Sequence, residues 1–448
     1  RPLGMYHVYT SVWFSAIYLL LFISLIGCIV PRIVSHAKAL RRQPPRVPAR
    51  LDRLAAHASM TTSASAAEVS QRAQQWLTSH RYRFVVDDDG SLRAEAGRHR
   101  ETGNLVFHIF LVFVLVGVGW NTLWGFKGTS VVVEGQGFSN SITQYDEFKA
   151  GAMVDTDNLT PFSMKLRKFV VSFETGTVQR GAARSFDATV DLTMGGKTQT
   201  RDLQVNHPLR IGSTKVHLLG HGYAADVVVR DGDGKVAYSG PVVFLPQDAN
   251  FKSVGVIKAP DARPDRLAFQ GFFLPTGAIT AGGPTSLFPD ALNPQLYLTA
   301  WYGKPTVETG VPSNIYTLDT TGLTQVTNGK DKARFVLSPG QRYKLPDGKG
   351  SIQFNGWQRW AKIQVSQNPG LPLTFLSVVL SVAGLCVSLF SRSRRVWVRT
   401  IPGDDGLRVE IGGLDRSDSR SGAVDDVNSL LAALHGDSMS GDVGEEHS

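Results

Sequence analysis

One histidine, His108, lies near the start of a long apolar run, residues 103–125, in which it is the one ionisable side chain. A helix that spans a bilayer needs about 20 mainly apolar residues, and this run has that length. An ionisable side chain at such a depth is costly and is usually kept for function. Because imidazole can bind a metal or a haem iron, or carry protons, His108 is the first candidate site.

The alternative for His108 is a packing role, since polar side chains also hold membrane helices together. Two features favour a ligand instead. Phe107, Phe110 and Phe113 crowd the same run, and their rings would suit a flat macrocycle. In a helix that enters the membrane at Gly103, His108 lies roughly 8 Å from that surface.

An iron in haem with two axial ligands usually takes them from His or Met. Two further apolar runs, 12–30 and 371–390, contain neither residue. His7 precedes the first run at its far end, roughly 30 Å from His108 by helix rise, which is too far to share one iron. We therefore expect the second ligand from another subunit or from chain that precedes Arg1. Because the sequence opens without an initiator Met, we expect such an N-terminal part, which could hold another span.

Charge bias predicts the orientation of the three spans. Seven Lys and Arg residues and one acid follow the first run between positions 31 and 53, and four Arg follow the third run. Cytoplasmic loops carry this excess of positive charge. The formal net charge of +9 then needs no nucleic-acid partner, because topology and anionic lipid account for much of it. The predicted location is the plasma membrane, with several passes through the bilayer.

The predicted domains follow from these spans. In chain order they are an extracytoplasmic stub (1–11), a transmembrane helix (12–30), a cytoplasmic loop with a helix and a β-hairpin (31–103), a transmembrane helix with His108 (104–124), an extracytoplasmic β-rich domain (125–370), a transmembrane helix (371–390) and a cytoplasmic tail (391–448). Cys28 and Cys386 both fall in predicted spans, so the β-rich domain has no disulfides and thiol exchange is not expected of it.

Two cytoplasmic segments repeat one pattern of elements. The predicted elements are a helix (66–79), strands at 82–86 and 91–94, strands at 395–401 and 407–411 around a turn at 403–406, and a helix (424–434). Neither segment can bury a core alone. We predict that they dock as one small α+β domain, and that residues 438–448 are disordered.

The long segment between the second and third spans predicts a β-rich, sandwich- or barrel-like domain of one or two packed units. Its predicted strands are 129–134, 169–173, 188–192, 215–219, 226–230, 236–245, 296–301, 333–337 and 350–354.

Other histidines are weaker candidates. A metal site is one interpretation of three histidines that lie close in sequence, His207, His217 and His221. Their spacing matches no compact metal-binding motif, and no Cys joins them. A surface or cross-strand role is therefore favoured. The histidines of the cytoplasmic loop are expected to be solvated: His36, His57, His80 and His99. With no nucleophile elbow, Walker loop or zincin helix, no catalytic and no metal-binding residue is predicted.

Several motifs occur in a characteristic order: YHVYTSVWFSAIYLLLFISLIGCIVPR, RETGNLVFHIFLVFVLVGVGW, GTSVVVEGQGFSNSITQYDEF, VNHPLRIG, LLGHGYA, DGKVAYSGPVVFLPQD and GFFLPT. With them the chain resembles, over nearly its whole length, the ResB (CcsB-type) component of the System II cytochrome c biogenesis machinery in its actinobacterial form. The resemblance implies one further span before the first one seen here.

The resemblance also implies partners and a cofactor. A ResC/CcsA-type membrane protein would carry the tryptophan-rich external haem-binding segment, which nothing here matches. His108 would be an axial ligand of haem b, with the opposite ligand from a partner span. The complex would pass haem outward and support its attachment to the CxxCH cysteines of apocytochrome c. The chain would then be a non-catalytic subunit of a holocytochrome c synthase. A membrane-anchored apocytochrome scaffold without a haem ligand, or an unrelated receptor, is the alternative.

Overall fold

A computed structural model of the chain describes residues 11–305, 316–403, 406–415 and 421–435. The chain forms two compact units. The helical unit consists of Arg1–Gly119 and Gly370–Ser448, and the β domain consists of Trp120–Pro369. Most of the predicted N-terminal stub, the centre of the turn at 403–406 and the end predicted to be disordered lie outside the described residues.

The α-helices in the described ranges are α1 (Val12–Arg41), α2 (Ala66–Ser79), α3 (His99–Trp124), α4 (Leu371–Phe390) and α5 (Ser421–His435). Helices α1, α3 and α4 are long and apolar enough to cross a membrane, and they contain the three predicted spans. Helix α2 has the predicted bounds because Ser65 and Glu68 form a reciprocal capping box at its start.

Helix α1 extends well beyond the predicted span of 12–30, so the segment 31–103 does not begin as a loop. Pro31 lies inside the helix, where a proline removes one backbone hydrogen bond but leaves the following turns free to form. The carbonyl groups at the end of α1 are satisfied by arginines. Arg98 donates to Ala39 O at 2.6 Å, and Arg83 donates to Leu40 O at 3.4 Å.

Helices α3 and α4 pack through small residues. Ser377, Ser381 and Gly384 are the buried residues of α4, and the Ser381 hydroxyl donates to Phe107 O at 3.3 Å. A Cβ atom on Gly384 would lie 2.8 Å from Phe107 N and 2.9 Å from Gly103 O. Small residues of this kind let two membrane helices approach closely.

The described strands are, in chain order, β1 (Ala56–Thr62), β2 (Arg83–Val86), β3 (Leu92–Ala96), β4 (Phe126–Val133), β5 (Gly137–Ser139), β6 (Glu147–Ala150), β7 (Ser163–Phe173), β8 (Ala183–Met194), β9 (Lys197–Gln204), β10 (Leu209–Ile211), β11 (Thr214–Arg230), β12 (Val236–Pro246), β13 (Ser253–Ala259), β14 (Arg266–Leu274), β15 (Gly277–Thr280), β16 (Gly283–Ser286), β17 (Gln295–Gly303), β18 (Thr324–Gln325), β19 (Thr327–Asn328), β20 (Asp331–Lys332), β21 (Arg334–Leu337), β22 (Arg342–Lys344), β23 (Ser351–Gln367), β24 (Arg394–Gly403) and β25 (Gly406–Asp415).

In the helical unit, one antiparallel sheet of order β1-β25-β24-β3-β2 joins the two segments that flank the spans. The joint is the pairing of β24 with β3, with Val396 opposite Ala94. Helices α2 and α5 cover the sheet, and Leu77 and Leu430 are fully buried between them and the strands. The Tyr82 hydroxyl donates to Asp426 at 2.6 Å across the two segments. The two predicted hairpins are therefore neighbours in one α+β sheet.

The β domain has two hydrophobic cores that share two long strands. Strands β11 and β23 each contain 17 residues and pair with one another. Tyr223 and Phe354 lie in one core, whereas Val216 and Ile363 lie in the other. A sheet of 12 strands and a sheet of four, with order β5-β7-β8-β9, supply most of both cores. The prediction of a large β-rich domain is thus confirmed.

Several strand boundaries differ from the predictions. The predicted strands 215–219 and 226–230 are parts of the single strand β11, and the predicted strand 350–354 overlaps only the beginning of β23. The glycines and polar residues in the middle of these strands interrupt the apolar alternation that marks a half-buried strand. Strand β9 was not predicted because seven of its eight residues are exposed and its sequence is almost entirely polar.

Candidate functional site

His108 is held in one orientation by the helix that carries it. Its Nδ1 atom lies 2.7 Å from the carbonyl oxygen of Asn104, one turn earlier on α3. A carbonyl accepts, so Nδ1 carries the proton and donates, and Nε2 keeps its lone pair for another partner. A histidine that binds a metal is usually fixed in this way through its other ring nitrogen.

The imidazole of His108 lines a cavity of about 300 Å³ between α1 and α3. The other residues of its lining are mainly apolar, with one charged group, and comprise Leu21, Ser24, Leu25, Cys28, Ile29, Arg32 and Leu105. Ligand cavities start at about this volume and are typically apolar with a few polar groups. Arg32, which the sequence marked only as a topology signal, therefore belongs to the same cavity as His108.

Helices α1 and α3 contact one another on both sides of this cavity. Toward one end, the Tyr18 hydroxyl donates to Leu115 O. Toward the other end, His36 Nε2 lies 3.0 Å from the Thr102 hydroxyl. These two polar contacts hold the helices together, and the His108 cavity lies between them along the helix axes. Neither pair could be predicted from the sequence, because each joins residues that are far apart in the chain.

The expectation that His36 is a solvated loop residue is wrong. It lies on α1, and only 12% of its side chain is exposed. Its contact residue Thr102 precedes His108 by six positions, which is about 9 Å along a helix axis. His36 also does not line the His108 cavity. It is therefore not positioned as a second ligand opposite His108, although it lies on the helix that contains the first span.

The remaining histidines of the segment between the first two spans, His57, His80 and His99, are exposed as predicted. The His80 ring stacks on Trp76 with centroids 4.0 Å apart. Within the described part of the chain, no three His, Cys, Asp or Glu side chains form a group that could hold a metal ion. The histidines of the β domain are thus not gathered into one site.

In the β domain, only one of the three histidines singled out from the sequence is buried. His207 is exposed, His217 is half-buried opposite Gln364, and His221 is buried. The His221 ring stacks on Phe251 at 4.7 Å and is within 6.2 Å of Phe173. Burial, together with the positive charge of a nearby arginine, lowers the pKa of His221 to about 4. A cross-strand position fits His217, whereas His221 belongs to a core.

The arginine beside His221 was missed by sequence reasoning. Arg359 is 6% exposed, and its guanidinium lies 4.9 Å from the ring centroid of Tyr223. It donates to Asp290 at 2.7 Å, which compensates the buried charge. His221 Nδ1 and Arg359 Nη1 have no hydrogen-bond partner in the described ranges. Such buried polar atoms are usually satisfied by water or a ligand.

Three long apolar helices and a large β-rich domain within the described ranges define a class of protein, a membrane protein with a large β-rich domain. The chain belongs to the ResB-like family, whose model matches residues 1–424. The resemblance drawn from the sequence motifs is therefore confirmed.

The names of individual relatives agree with this family assignment. The chain is 24% identical to "Cytochrome c biogenesis protein CcsB" of Synechococcus sp. (strain JA-3-3Ab) over 88% of this chain and 71% of the relative. It is 21% identical to the protein of the same name in Microcystis aeruginosa (strain NIES-843 / IAM M-2473), over 92% of this chain and 77% of the relative. A CcsB of Picosynechococcus sp. is 28% identical over 46% of this chain and 42% of its own length.

Proposed function

We propose that this protein is a membrane subunit that acts in cytochrome c maturation, and that His108 supplies one axial ligand to a haem b shared with a partner subunit. Membership of the ResB-like family and the names of the relatives support the role in maturation. The observation that carries the ligand assignment is the His108 hydrogen bond to Asn104 O beside an apolar cavity.

The lining of the His108 cavity fits a haem. Nε2 of His108 is the available ligand atom, and neutral imidazole is a common axial ligand of haem iron. Leu25 and Leu105 supply apolar contact for a macrocycle, and the Arg32 guanidinium can pair with a haem carboxylate. When bound, haem supplies the iron and the porphyrin that is later joined to the apocytochrome. The contribution of this chain is to bind, orient and shield that group from water.

The cavity accounts for only half of a haem site. Its volume of about 300 Å³ is at the lower end for ligand cavities. Leu21 of the lining is 56% exposed, and on α3 Phe113, which is not part of the lining, is 43% exposed. A helix of a ResC/CcsA-type partner would cover this apolar surface and bring the second ligand. The chain itself is proposed to be a non-catalytic subunit of the synthase complex.

The proposed orientation in the plasma membrane rests on charge. Arginines follow α1 and α4 at the ends where both helices join the α+β sheet, so this sheet is assigned to the cytoplasm. The β domain is then extracytoplasmic, where it would help to present haem or the CxxCH segment of apocytochrome c. Labelling of introduced surface cysteines with a membrane-impermeant reagent tests this assignment. Labelling of the α+β sheet in intact cells, without labelling of the β domain, would reverse it.

The haem assignment is tested by co-purifying this chain with its partner and measuring the bound haem. We expect His108→Gly to lose the haem or its two-histidine spectrum, and added imidazole to restore part of that spectrum. Asn104→Ala is the matched control, because it keeps the backbone carbonyl that His108 contacts. His36→Ala is a second control on the neighbouring helix. An unchanged spectrum in His108→Gly would leave a scaffold role without a haem ligand.

A further inference from the structure

A second and larger cavity lies within the helical unit, where the end of α1 meets the start of α3. Its volume is about 840 Å³, and its lining is mainly polar. Four arginines line it, against two acids, Glu95 and Glu101. The lining therefore carries an excess of two positive charges, four minus two. The arginines are Arg42, Arg98, Arg100 and Arg395.

Each of the two acids of this cavity already has a basic side chain beside it. Glu95 lies 3.4 Å from Arg98, and Glu101 lies 3.6 Å from His36 Nδ1. By contrast, the side chains of Arg42 and Arg100 make no hydrogen bond or ion pair with any residue that the structure describes. Two arginines thus line one cavity with side-chain donors that are unused within the described part of the chain. Such groups bind phosphate oxygens in pairs and with charge assistance.

An apolar surface leads directly to the cavity. On α1, Val30, Ile33 and Val34 are 53%, 39% and 48% exposed. Leu40, two turns after Ile33 on the same face of the helix, is 44% exposed and lines the cavity. A molecule that follows α1 would therefore keep an apolar part on the helix and bring a polar end among the arginines. A small soluble anion would contact the arginines but not the apolar surface of α1, whereas an amphiphile would contact both.

We propose that this cavity binds the phosphate headgroup of an anionic phospholipid whose acyl chains lie along the exposed apolar face of α1. Basic cavities at the ends of membrane helices commonly bind acidic lipid headgroups. The lining of this cavity is polar, whereas the lining of the His108 cavity is mainly apolar and suits a macrocycle. The two cavities therefore differ in the kind of ligand that they favour. The lipid would hold the ends of α1 and α3 together, beside the contact of His36 with Thr102.

The test uses the full chain in nanodiscs of phosphatidylcholine, with or without phosphatidylglycerol. Native mass spectrometry after detergent release counts the lipids retained by the wild type and by Arg42→Gln/Arg100→Gln. The matched control, Arg50→Gln/Arg53→Gln, removes the same charge from exposed arginines outside the lining. Arg42→Lys/Arg100→Lys keeps the charge but loses the planar fork. Thermal unfolding of each variant establishes that it is folded.

We expect the wild type and the Arg50/Arg53 control to retain phosphatidylglycerol in preference to phosphatidylcholine. Loss of two arginines near an anionic headgroup corresponds to about thirtyfold weaker binding in Arg42→Gln/Arg100→Gln. Equal loss in both glutamine variants would overturn the site, because general surface charge would explain it. If the wild type retains inorganic phosphate but no lipid, the ligand is a free phosphate and the lipid proposal is wrong. His108→Ala should leave the lipid bound, so the haem and lipid assignments fail separately.

Discussion

His108 Nδ1 and the carbonyl oxygen of Asn104 lie 2.7 Å apart within one turn of α3. A backbone carbonyl of the same helix therefore orients this imidazole. Because the donor is used inside the helix, the other ring nitrogen is available for a ligand from the side of α1. The proposed haem site follows from this hydrogen bond and from the apolar cavity that His108 lines.

Arg32 should contribute to haem retention through its charge. We expect Arg32→Gln to weaken haem binding by about tenfold, since a hydrogen bond to a charged group contributes roughly 1.5 kcal/mol. Haem per complex after purification at increasing detergent concentration measures this loss. Lys38→Gln is the control, because Lys38 is an exposed cation of the same helix that lines neither cavity. Equal retention by both variants would remove Arg32 from the site.

The contact between α3 and α4 should not tolerate a single methyl group at Gly384. A Cβ atom there meets the backbone of α3, and overpacking of this kind costs roughly 1–3 kcal/mol. We expect Gly384→Ala to lower the unfolding temperature of the purified chain. At Gly27 on α1 a Cβ atom would have no neighbour within 4 Å among the residues that the structure describes. If Gly27→Ala lowers the unfolding temperature as much as Gly384→Ala, close packing is not the cause.

His221 should make the stability of the β domain depend on pH. Its pKa is about 4 in the folded protein, against an ordinary value of 6.5. The unfolded chain therefore binds the proton more readily, and the free energy of unfolding falls as the pH drops from about 6.5 to about 4. The free energy of unfolding falls by about 3 kcal/mol in total, and most of this fall is complete at pH 4.

Hydrogen exchange of the β domain at several pH values measures this effect. His221→Phe keeps an aromatic ring but cannot bind a proton, so its stability should vary less over this pH window. His207→Gln, at an exposed position, is the control and should behave as the wild type. A pH dependence that survives in His221→Phe would show that other groups are responsible.

The α+β sheet should fail as one structure when α5 is weakened. Leu430 is fully buried in its core, and a buried Leu→Ala change costs roughly 2–5 kcal/mol. We expect Leu430→Ala to make the 31–103 segment sensitive to protease, although the mutation is more than 300 residues away in sequence. Val424→Ala on the same helix is the control, since Val424 is 36% exposed. Unchanged protection of 31–103 in Leu430→Ala would contradict the joint core.

The sequence predicted those features that arise from local patterns. Apolar runs predicted the three long helices, and apolar residues at helical spacing predicted α2. Pairing between residues that are far apart in the chain leaves no such local pattern in the sequence. Strand β1 was missed because its sequence, AHASMTT, lacks apolar alternation, and it gains its place from pairing with β25. For the same reason His108 could be predicted from the sequence but its cavity could not. Cys28 and Arg32 approach His108 only when α1 packs beside α3.

The measurement that tests the central claim most directly is the absorption and magnetic circular dichroism spectrum of haem in the co-purified complex. The wild type should show a low-spin haem with two histidine ligands. His108→Gly should lose that signature, added imidazole should restore it, and Asn104→Ala should match the wild type. A two-histidine spectrum that persists in His108→Gly, with the same amount of haem, would contradict the assignment of His108 as a ligand.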